Sequence, residues 1–177
     1  MPESDSMDQL KAKIRHIPDF PKPGILFYDI TTLLRDGEGF RQAIEALAAP
    51  FKGQAIDAVV GMESRGFIFG AAVADRLGIG FIPVRKPGKL PAKTVKATYD
   101  LEYGSDCLEM HCDAVDAGTK VIVVDDLLAT GGTAKATVQL LKGQGATIVG
   151  VSFLIELVEL GGRAKLAGEQ VRAVLQY

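Results

Sequence analysis

The strongest constraint on the fold is an apolar, β-branched run at residues 121–124 that ends in two adjacent acids, Asp125 and Asp126. Four such residues in succession are typical of a central strand in a parallel sheet, where helices cover both faces. Small residues follow the acids, and a helix is predicted from about residue 133 to 142. Open α/β sheets bind their ligands where strands end in this way.

Shorter apolar runs at residues 56–60, 81–84 and 148–155 predict further strands, and helices are predicted at residues 40–49 and 67–77. Strands and helices alternate along the chain. This order predicts an α/β fold with a mainly parallel sheet flanked by helices.

Two segments depart from the alternation. Residues 1–35 contain four prolines and no strong period, and we expect a small N-terminal hood before a core at residues 36–177. Residues 86–106 are rich in basic side chains, and Pro87, Gly88 and Pro91 interrupt any helix. We expect a long mobile surface loop there, because excursions of this length are uncommon unless they are functional or disordered.

Composition excludes several classes of protein. The formal net charge of −2 provides no basic field for binding nucleic acid or an anionic membrane. The acidic start, with Glu3, Asp5 and Asp8, is unlike a secretory signal, and no apolar stretch is long enough to cross a bilayer. We therefore expect a cytoplasmic protein without nucleic-acid or membrane partners.

Cys107 and Cys112 flank His111, a spacing that could indicate a metal or redox pair. A zinc site normally needs four ligands, and the only other histidine is His16. We interpret both cysteines as free thiols and expect no metal held by protein ligands alone.

The turn after the two acids is suited to an anion. Its small residues let backbone N–H groups converge on a phosphate at the start of a helix, although a plain turn capped by Thr133 would look similar. The acids could bind a metal, accept hydrogen bonds from ribose hydroxyls or stabilise a developing cation. No lysine follows the glycines directly, so the turn is not a Walker A motif. The turn residues are Ala129, Thr130, Gly131, Gly132 and Thr133.

The segment at residues 121–133 resembles the phosphoribosyl pyrophosphate motif of the type I phosphoribosyltransferases. Residues 127–129 inside it, together with four other segments, resemble the branch of that family that uses adenine. The similarity runs from Ile14 to Tyr177, and the four segments are residues 18–27, 63–67, 101–104 and 175–177.

The resemblance implies roles for the residues that match. The amides of residues 129–133 would hold the 5-phosphate, and Asp125 and Asp126 would contact the ribose hydroxyls and face C1. Arg65 would lie beside pyrophosphate and base, after a cis peptide between Ser64 and Arg65. Glu102 would transfer the proton at the imidazole edge of the purine.

Base recognition is implied for the hood. The backbone around Leu26 would bond the Watson–Crick edge of adenine, while Phe27 and Leu127 would stack on its two faces. Family members often carry a basic residue after the stacking Phe, whereas this chain has Tyr28.

The basic loop would clamp pyrophosphate, with Mg²⁺ bound mainly through the pyrophosphate itself. The basic residues are Arg85, Lys86, Lys89, Lys93 and Lys96, of which Arg85 and Lys86 are the best candidates and Lys89 the next.

The resemblance thus implies an enzyme, in the form of a homodimer, that makes AMP and pyrophosphate from adenine and phosphoribosyl pyrophosphate. Two alternatives remain at this point: a phosphoribosyltransferase for 6-oxopurines or pyrimidines, and a non-catalytic sensor of phosphoribosyl pyrophosphate. The second would need an output surface, and the roughly 20 residues before the hood motif are too few and too acidic for a DNA-binding domain.

Overall fold

The computed structural model describes residues 2–100 and 104–177, without the side chains of residues 2–6. The chain divides into two compact units, Met1–Ala46 and Leu47–Tyr177. This division follows compactness alone, so the predicted hood boundary after residue 35 stays a prediction. No helix in the described ranges is long and apolar enough to span a membrane.

The first unit has more regular structure than its prolines predict. A two-stranded antiparallel sheet pairs Arg15 with Asp29 and Pro18 with Leu26, and helices lie before and after it in sequence. Its elements are α1 (Pro2–Ala12), β1 (Arg15–Pro18), β2 (Leu26–Asp29), α2 (Thr31–Arg35) and most of α3 (Gly37–Ala48).

The second unit is built on a five-stranded parallel sheet, as the alternating pattern predicts. Its strands lie in the order β4-β3-β7-β8-β9, with β7 in the centre. The predicted α/β fold is confirmed. The strands are β3 (Ala58–Met62), β4 (Gly80–Val84), β7 (Lys120–Leu128), β8 (Thr147–Glu156) and β9 (Val171–Gln176).

Two helices cover β7 because its first half is apolar on both faces. Val121 and Val123 share a buried cluster with residues of α5 (Gly132–Gly143), including Val138. Ile122 and Val124 are equally buried, and α4 (Arg65–Leu77) packs against β3 and β7. Both helices begin at the carboxyl ends of strands.

The basic segment contains regular structure that the sequence interpretation did not predict. Strands β5 (Thr94–Asp100) and β6 (Ser105–His111) form an antiparallel hairpin, so part of the predicted surface loop at residues 86–106 is regular structure, and its mobility stays a prediction. In β5 the apolar residues Val95, Ala97 and Tyr99 are partly buried and alternate with exposed polar residues. This period of two is masked by the charges beside it.

Asp29 is the best-bonded carboxylate of the first unit. It accepts hydrogen bonds from the Thr31 N–H and hydroxyl, each at 2.9 Å, and from Arg15 Nε at 2.9 Å. The backbone bond from Thr31 and the bond from Arg15 lower the pKa of Asp29 from 3.8 to about 2. Its ionised form therefore stabilises the first unit.

Asp29→Asn is expected to destabilise the protein at pH 7, since the amide cannot replace a charged acceptor. Loss of about 1 kcal/mol would lower Tm by about 2–4 °C in a chain of this size. The pKa of Asp29 is lower in the folded state than its ordinary value of 3.8. The carboxylate therefore stabilises the fold above that value, and this stabilisation is lost as the pH falls towards 2. Thermal unfolding of both proteins between pH 7 and 3 checks this, and a difference in Tm that does not shrink below pH 4 would contradict it.

Candidate active site

A cleft of about 380 Å³ opens at the carboxyl ends of β3 and β7. One wall is the turn at residues 129–133, which we call the glycine loop, between the end of β7 and the first turn of α5. The other wall is the segment from Glu63 to Arg65, where β3 leads into α4. The lining residues are Glu63, Ser64, Arg65, Asp125, Asp126, Leu127, Leu128, Ala129, Thr130, Gly131, Gly132, Thr133 and Ala134.

The glycine loop has the geometry of an anion site. Gly131 adopts a left-handed conformation, with φ of 79°, that an L side chain rarely adopts. It precedes α5, whose first N–H groups have no partner within the helix and whose dipole is positive at this end, and the loop lines the cleft. The five predicted turn residues therefore lie together on one wall of the cleft.

Asp125 and Asp126 lie inside β7 rather than after it, near its carboxyl end. Asp126 is 5% exposed, and its Oδ2 lies 2.9 Å from Arg65 Nε. Its backbone N–H donates to Asp125 Oδ1 at 2.9 Å. The structure thus brings together three of the four residues that the resemblance implies for catalysis.

Burial makes these two acids hard to ionise. Burial, followed by the negative charge of Asp126, raises the pKa of Asp125 well above its ordinary value. Burial also raises the pKa of Asp126, and the Arg65 guanidinium opposes that rise. A cation in the cleft would favour the ionised form of both carboxylates.

Gly66 explains how Asp125 comes so close to the start of α4. A Cβ atom built on Gly66 would lie 2.7 Å from Asp125 Oδ1, which is too close for any side chain. The glycine therefore lets the strand carrying the acids approach the helix that carries Arg65.

The cis peptide bond in this wall joins Glu63 to Ser64. The resemblance had implied the next bond along the chain, between Ser64 and Arg65, and that assignment is wrong by one position. Arg65 is the first residue of α4, where the backbone is already helical.

Two basic residues of the predicted pyrophosphate clamp, Arg85 and Lys86, form ion pairs with carboxylates. Arg85 Nε lies 3.0 Å from Glu63 Oε2, which places Arg85 beside the cleft wall. Lys86 Nζ donates to Asp106 Oδ2 at 2.6 Å, and Asp106 also accepts from the Tyr99 hydroxyl at 3.1 Å. The pKa of Lys86 is raised by Asp106.

The other basic residues of this segment lie further along it. Lys89 is exposed, and its carbonyl accepts a bond from Arg85. Lys96 lies in β5 and pairs with the buried Glu109. Arg85 contacts the cleft wall through Glu63, and Lys86 contacts the β5–β6 hairpin through Asp106.

The sequence interpretation missed the carboxylates that hold these cations. Glu63 is part of a quoted segment, but nothing in the sequence pairs it with Arg85, 22 residues away. Tyr99 was missed because the hairpin that carries it was missed. Its ring lies against the glycine loop, since a Cβ atom built on Gly132 would lie 3.1 Å from it. Period-two alternation in residues 94–100 is the signal that could have found it.

Two predicted site residues for the base lie in the first unit. Leu26, in β2, is 44% exposed, and the Phe27 ring meets the Phe20 ring edge-to-face at 5.1 Å. Glu102, the predicted proton-transfer residue, lies outside the described residues.

A protein-only metal site is not formed by the described residues, which contain no cluster of three His, Cys, Asp or Glu side chains placed to hold an ion. Cys107 and Cys112 are free thiols. The acid pair offers two carboxylates, so a cation here would need further oxygens from a ligand.

Comparison with known proteins agrees with this geometry. The phosphoribosyl transferase domain family matches residues 31–169. An adenine phosphoribosyltransferase from Acidobacterium capsulatum is 56% identical over 174 residues, which cover 98% of this chain and 96% of that protein.

Solved structures agree as well. The crystal structure of adenine phosphoribosyltransferase from Thermoanaerobacter pseudethanolicus matches with a TM-score of 0.93 and 50% identity, covering 97% of this chain and 99% of that one. The Saccharomyces cerevisiae enzyme, crystallised with adenine and an imino-altritol bisphosphate, matches with a TM-score of 0.91 and 42% identity, covering 97% and 99%. The chain therefore belongs to the adenine phosphoribosyltransferases, a branch of the phosphoribosyl transferase family.

Proposed function

We propose that this chain transfers the phosphoribosyl group of phosphoribosyl pyrophosphate to adenine, which gives AMP and pyrophosphate and salvages the purine. The observation that carries the proposal is the acid pair at the end of β7, directly before the glycine loop and in one cleft with Arg65. A spectroscopic assay for AMP from adenine, phosphoribosyl pyrophosphate and Mg²⁺ tests it.

The glycine loop suits the 5-phosphate. The N–H groups of residues 129–133 and the dipole of α5 favour an anion, and the hydroxyls of Thr130 and Thr133 can add donors. A ribose bound by its phosphate at this loop can reach Asp125 and Asp126, which precede the loop in β7. Their carboxylates can accept hydrogen bonds from the 2- and 3-hydroxyls.

The same carboxylates suit the transition state. As the bond from C1 to pyrophosphate breaks, positive charge develops on the ribose, and fixed negative charge stabilises it most at that moment. The raised pKa values of Asp125 and Asp126 fit this role, because such acids gain most from a nearby cation. Arg65 stabilises Asp126 in the free protein and can contact the departing pyrophosphate.

Pyrophosphate binding requires an exchange of partners. Arg85 and Lys86 are paired with Glu63 and Asp106, so the phosphates must replace these carboxylates or share the cations with them. Lys89, exposed beside them, can add a further contact. Mg²⁺, held mainly by pyrophosphate oxygens, would lower the negative charge of the substrate.

Recognition and protonation of the base follow from the family resemblance. We assign adenine binding to Leu26, Phe27 and Leu127, of which Leu127 lines the cleft. We assign proton transfer at the imidazole edge to Glu102. A positioned carboxylate can accept the proton that adenine loses as its N9 bonds to C1.

A homodimer and a cytoplasmic location are further parts of this proposal. Ile68 of α4 is a large apolar residue that is 40% exposed, and it could contribute to a dimer interface. Sedimentation of the purified protein tests the dimer.

Adenine is expected to be the preferred base. A site that hydrogen-bonds the 6-amino edge of adenine leaves its own polar groups without partners when a 6-oxopurine is bound. This mismatch is expected to lower kcat/KM by about 10⁴-fold. Steady-state assays with adenine, hypoxanthine and guanine check this, and comparable rates with hypoxanthine would favour a 6-oxopurine enzyme instead.

Asp125→Asn is expected to slow turnover and raise Tm at pH 7. Because the fold raises the pKa of Asp125 above its ordinary value of 3.8, this acid lowers stability at every pH above that ordinary value, and a neutral amide removes the cost. The same amide cannot stabilise the cation at C1, while binding of phosphoribosyl pyrophosphate should change less than kcat. Asp125→Asn with wild-type kcat would show that the acid is structural.

Glu102→Gln is expected to lower kcat by about 10²–10⁴-fold, the usual range for losing a general acid–base group. The amide keeps the size of the side chain but cannot take a proton. Single-turnover kinetics separates chemistry from product release. An unchanged chemical step would move the proton-transfer role to another residue.

A further inference from the structure

The back of the glycine loop rests directly on another backbone segment, the 3-10 helix Gly162–Leu166. A Cβ atom built on Gly162 would lie 2.2 Å from the Ala129 carbonyl oxygen and 3.0 Å from the Gly131 nitrogen. A Cβ on Gly131 would lie 2.5 Å from the Gly162 carbonyl oxygen. With no side chain between the two backbones, the position of Gly162 limits where the glycine loop can lie.

An ion pair between the exposed Arg163 and the buried Glu156 holds Gly162 in place. Arg163 donates hydrogen bonds from Nε and Nη2 to the Glu156 carboxylate, with Nε 2.9 Å from Oε1. Its Nη1 donates to the Val171 carbonyl at 2.7 Å. Glu156 is 4% exposed and also accepts from Gln176 Nε2 at 3.1 Å. The 3-10 helix is thereby tied to the end of β8 and to both ends of β9.

We propose that Gly162 and the Glu156–Arg163 ion pair position the glycine loop for the 5-phosphate of phosphoribosyl pyrophosphate. The proposal rests on the proposed function, which places that phosphate at the loop. None of the three residues lines the cleft, so they act through the loop and are positioning residues.

The physical reason is that converging N–H groups bind a phosphate only when they are held at the correct spacing. A displacement of about 1 Å can reduce the rate of an enzyme by about 100-fold. The glycine loop is short, and Gly131 is already in an unusual conformation, so a support on its outer side is the simplest way to fix its shape. Bidentate Arg–carboxylate geometry makes that support rigid.

Gly162→Ala tests the contact itself. The added methyl group meets the Ala129 carbonyl and pushes the loop towards the cleft. We expect the affinity for ribose 5-phosphate, measured by calorimetry, to fall at least 10-fold, with the affinity for pyrophosphate within about 2-fold of wild type. In steady state, KM for phosphoribosyl pyrophosphate should rise by a similar factor while KM for adenine is unchanged.

Gly143→Ala is the matched control, because a Cβ at Gly143 meets nothing within 4 Å and the residue is helical. It should leave both affinities at their wild-type values. Unchanged binding of ribose 5-phosphate to folded Gly162→Ala would overturn the proposal. Equal losses for ribose 5-phosphate and pyrophosphate would also overturn it, since they would show a general disturbance of the cleft.

Arg163→Met and Arg163→Lys test the ion pair. Met removes the charge, whereas Lys keeps it without the bidentate grip, so we expect the selective loss of ribose 5-phosphate affinity to be larger for Met than for Lys. Lys142→Met is the control, because it breaks the Lys142–Glu169 ion pair, which does not hold the glycine loop. If Arg163→Met does not fold, Arg163→Lys and Gly162→Ala decide, and wild-type binding by both would overturn the proposal.

Failure of the proposed function would look different. A wild-type protein that binds ribose 5-phosphate but makes no AMP from adenine would refute the enzyme assignment and leave the positioning test intact. A wild-type protein that makes AMP, with variants that bind ribose 5-phosphate normally, would refute the positioning role alone.

Discussion

The first half of strand β7 is apolar and the second half carries two acids, and the cleft depends on both. Residues 121–124 are completely buried, which fixes the strand at the centre of the sheet between α4 and α5. The next two residues are acids that the same strand carries into a largely buried position. Because the chain then turns sharply into α5, the acids and a helix N-terminus are brought to one edge of the sheet.

The two buried acids are tolerated because specific hydrogen-bond donors point at their carboxylates. Arg65 Nε contacts Asp126, the Asp126 N–H contacts Asp125, and Gly66 leaves room for the second carboxylate. Even so, burial raises both pKa values. A fold selected only for stability would place apolar residues here, so the retained acids indicate a site that exchanges stability for chemistry.

The core of this arrangement could be predicted from the sequence, because it depends on local signals. The apolar run of β7, the small residues of the glycine loop and the helix after it are all contiguous, and the parallel sheet follows from them. The hairpin β5–β6 could not be predicted as easily, since the period-two alternation of residues 94–100 is short and the nearby Gly88 and Pro91 suggest a loop.

Ion pairs between residues far apart in the chain also could not be predicted from the sequence. Glu63 with Arg85, Asp106 with Lys86, and Glu156 with Arg163 depend on how strands lie side by side, which charge patterns along the chain do not reveal. The resemblance supplied residue roles but misplaced the cis peptide by one bond.

Glu63 and Asp106, which hold Arg85 and Lys86 in the free protein, would compete with the pyrophosphate of the proposed substrate for these two cations. An anion that reaches only one of these cations must displace a tethered carboxylate, which has a high effective concentration, and gains a single contact in return. A ligand with two linked phosphates can displace both carboxylates in one binding event. In the proposed pyrophosphate clamp, the ion pairs of the free protein would therefore favour ligands with two linked phosphates over ligands with a single phosphate.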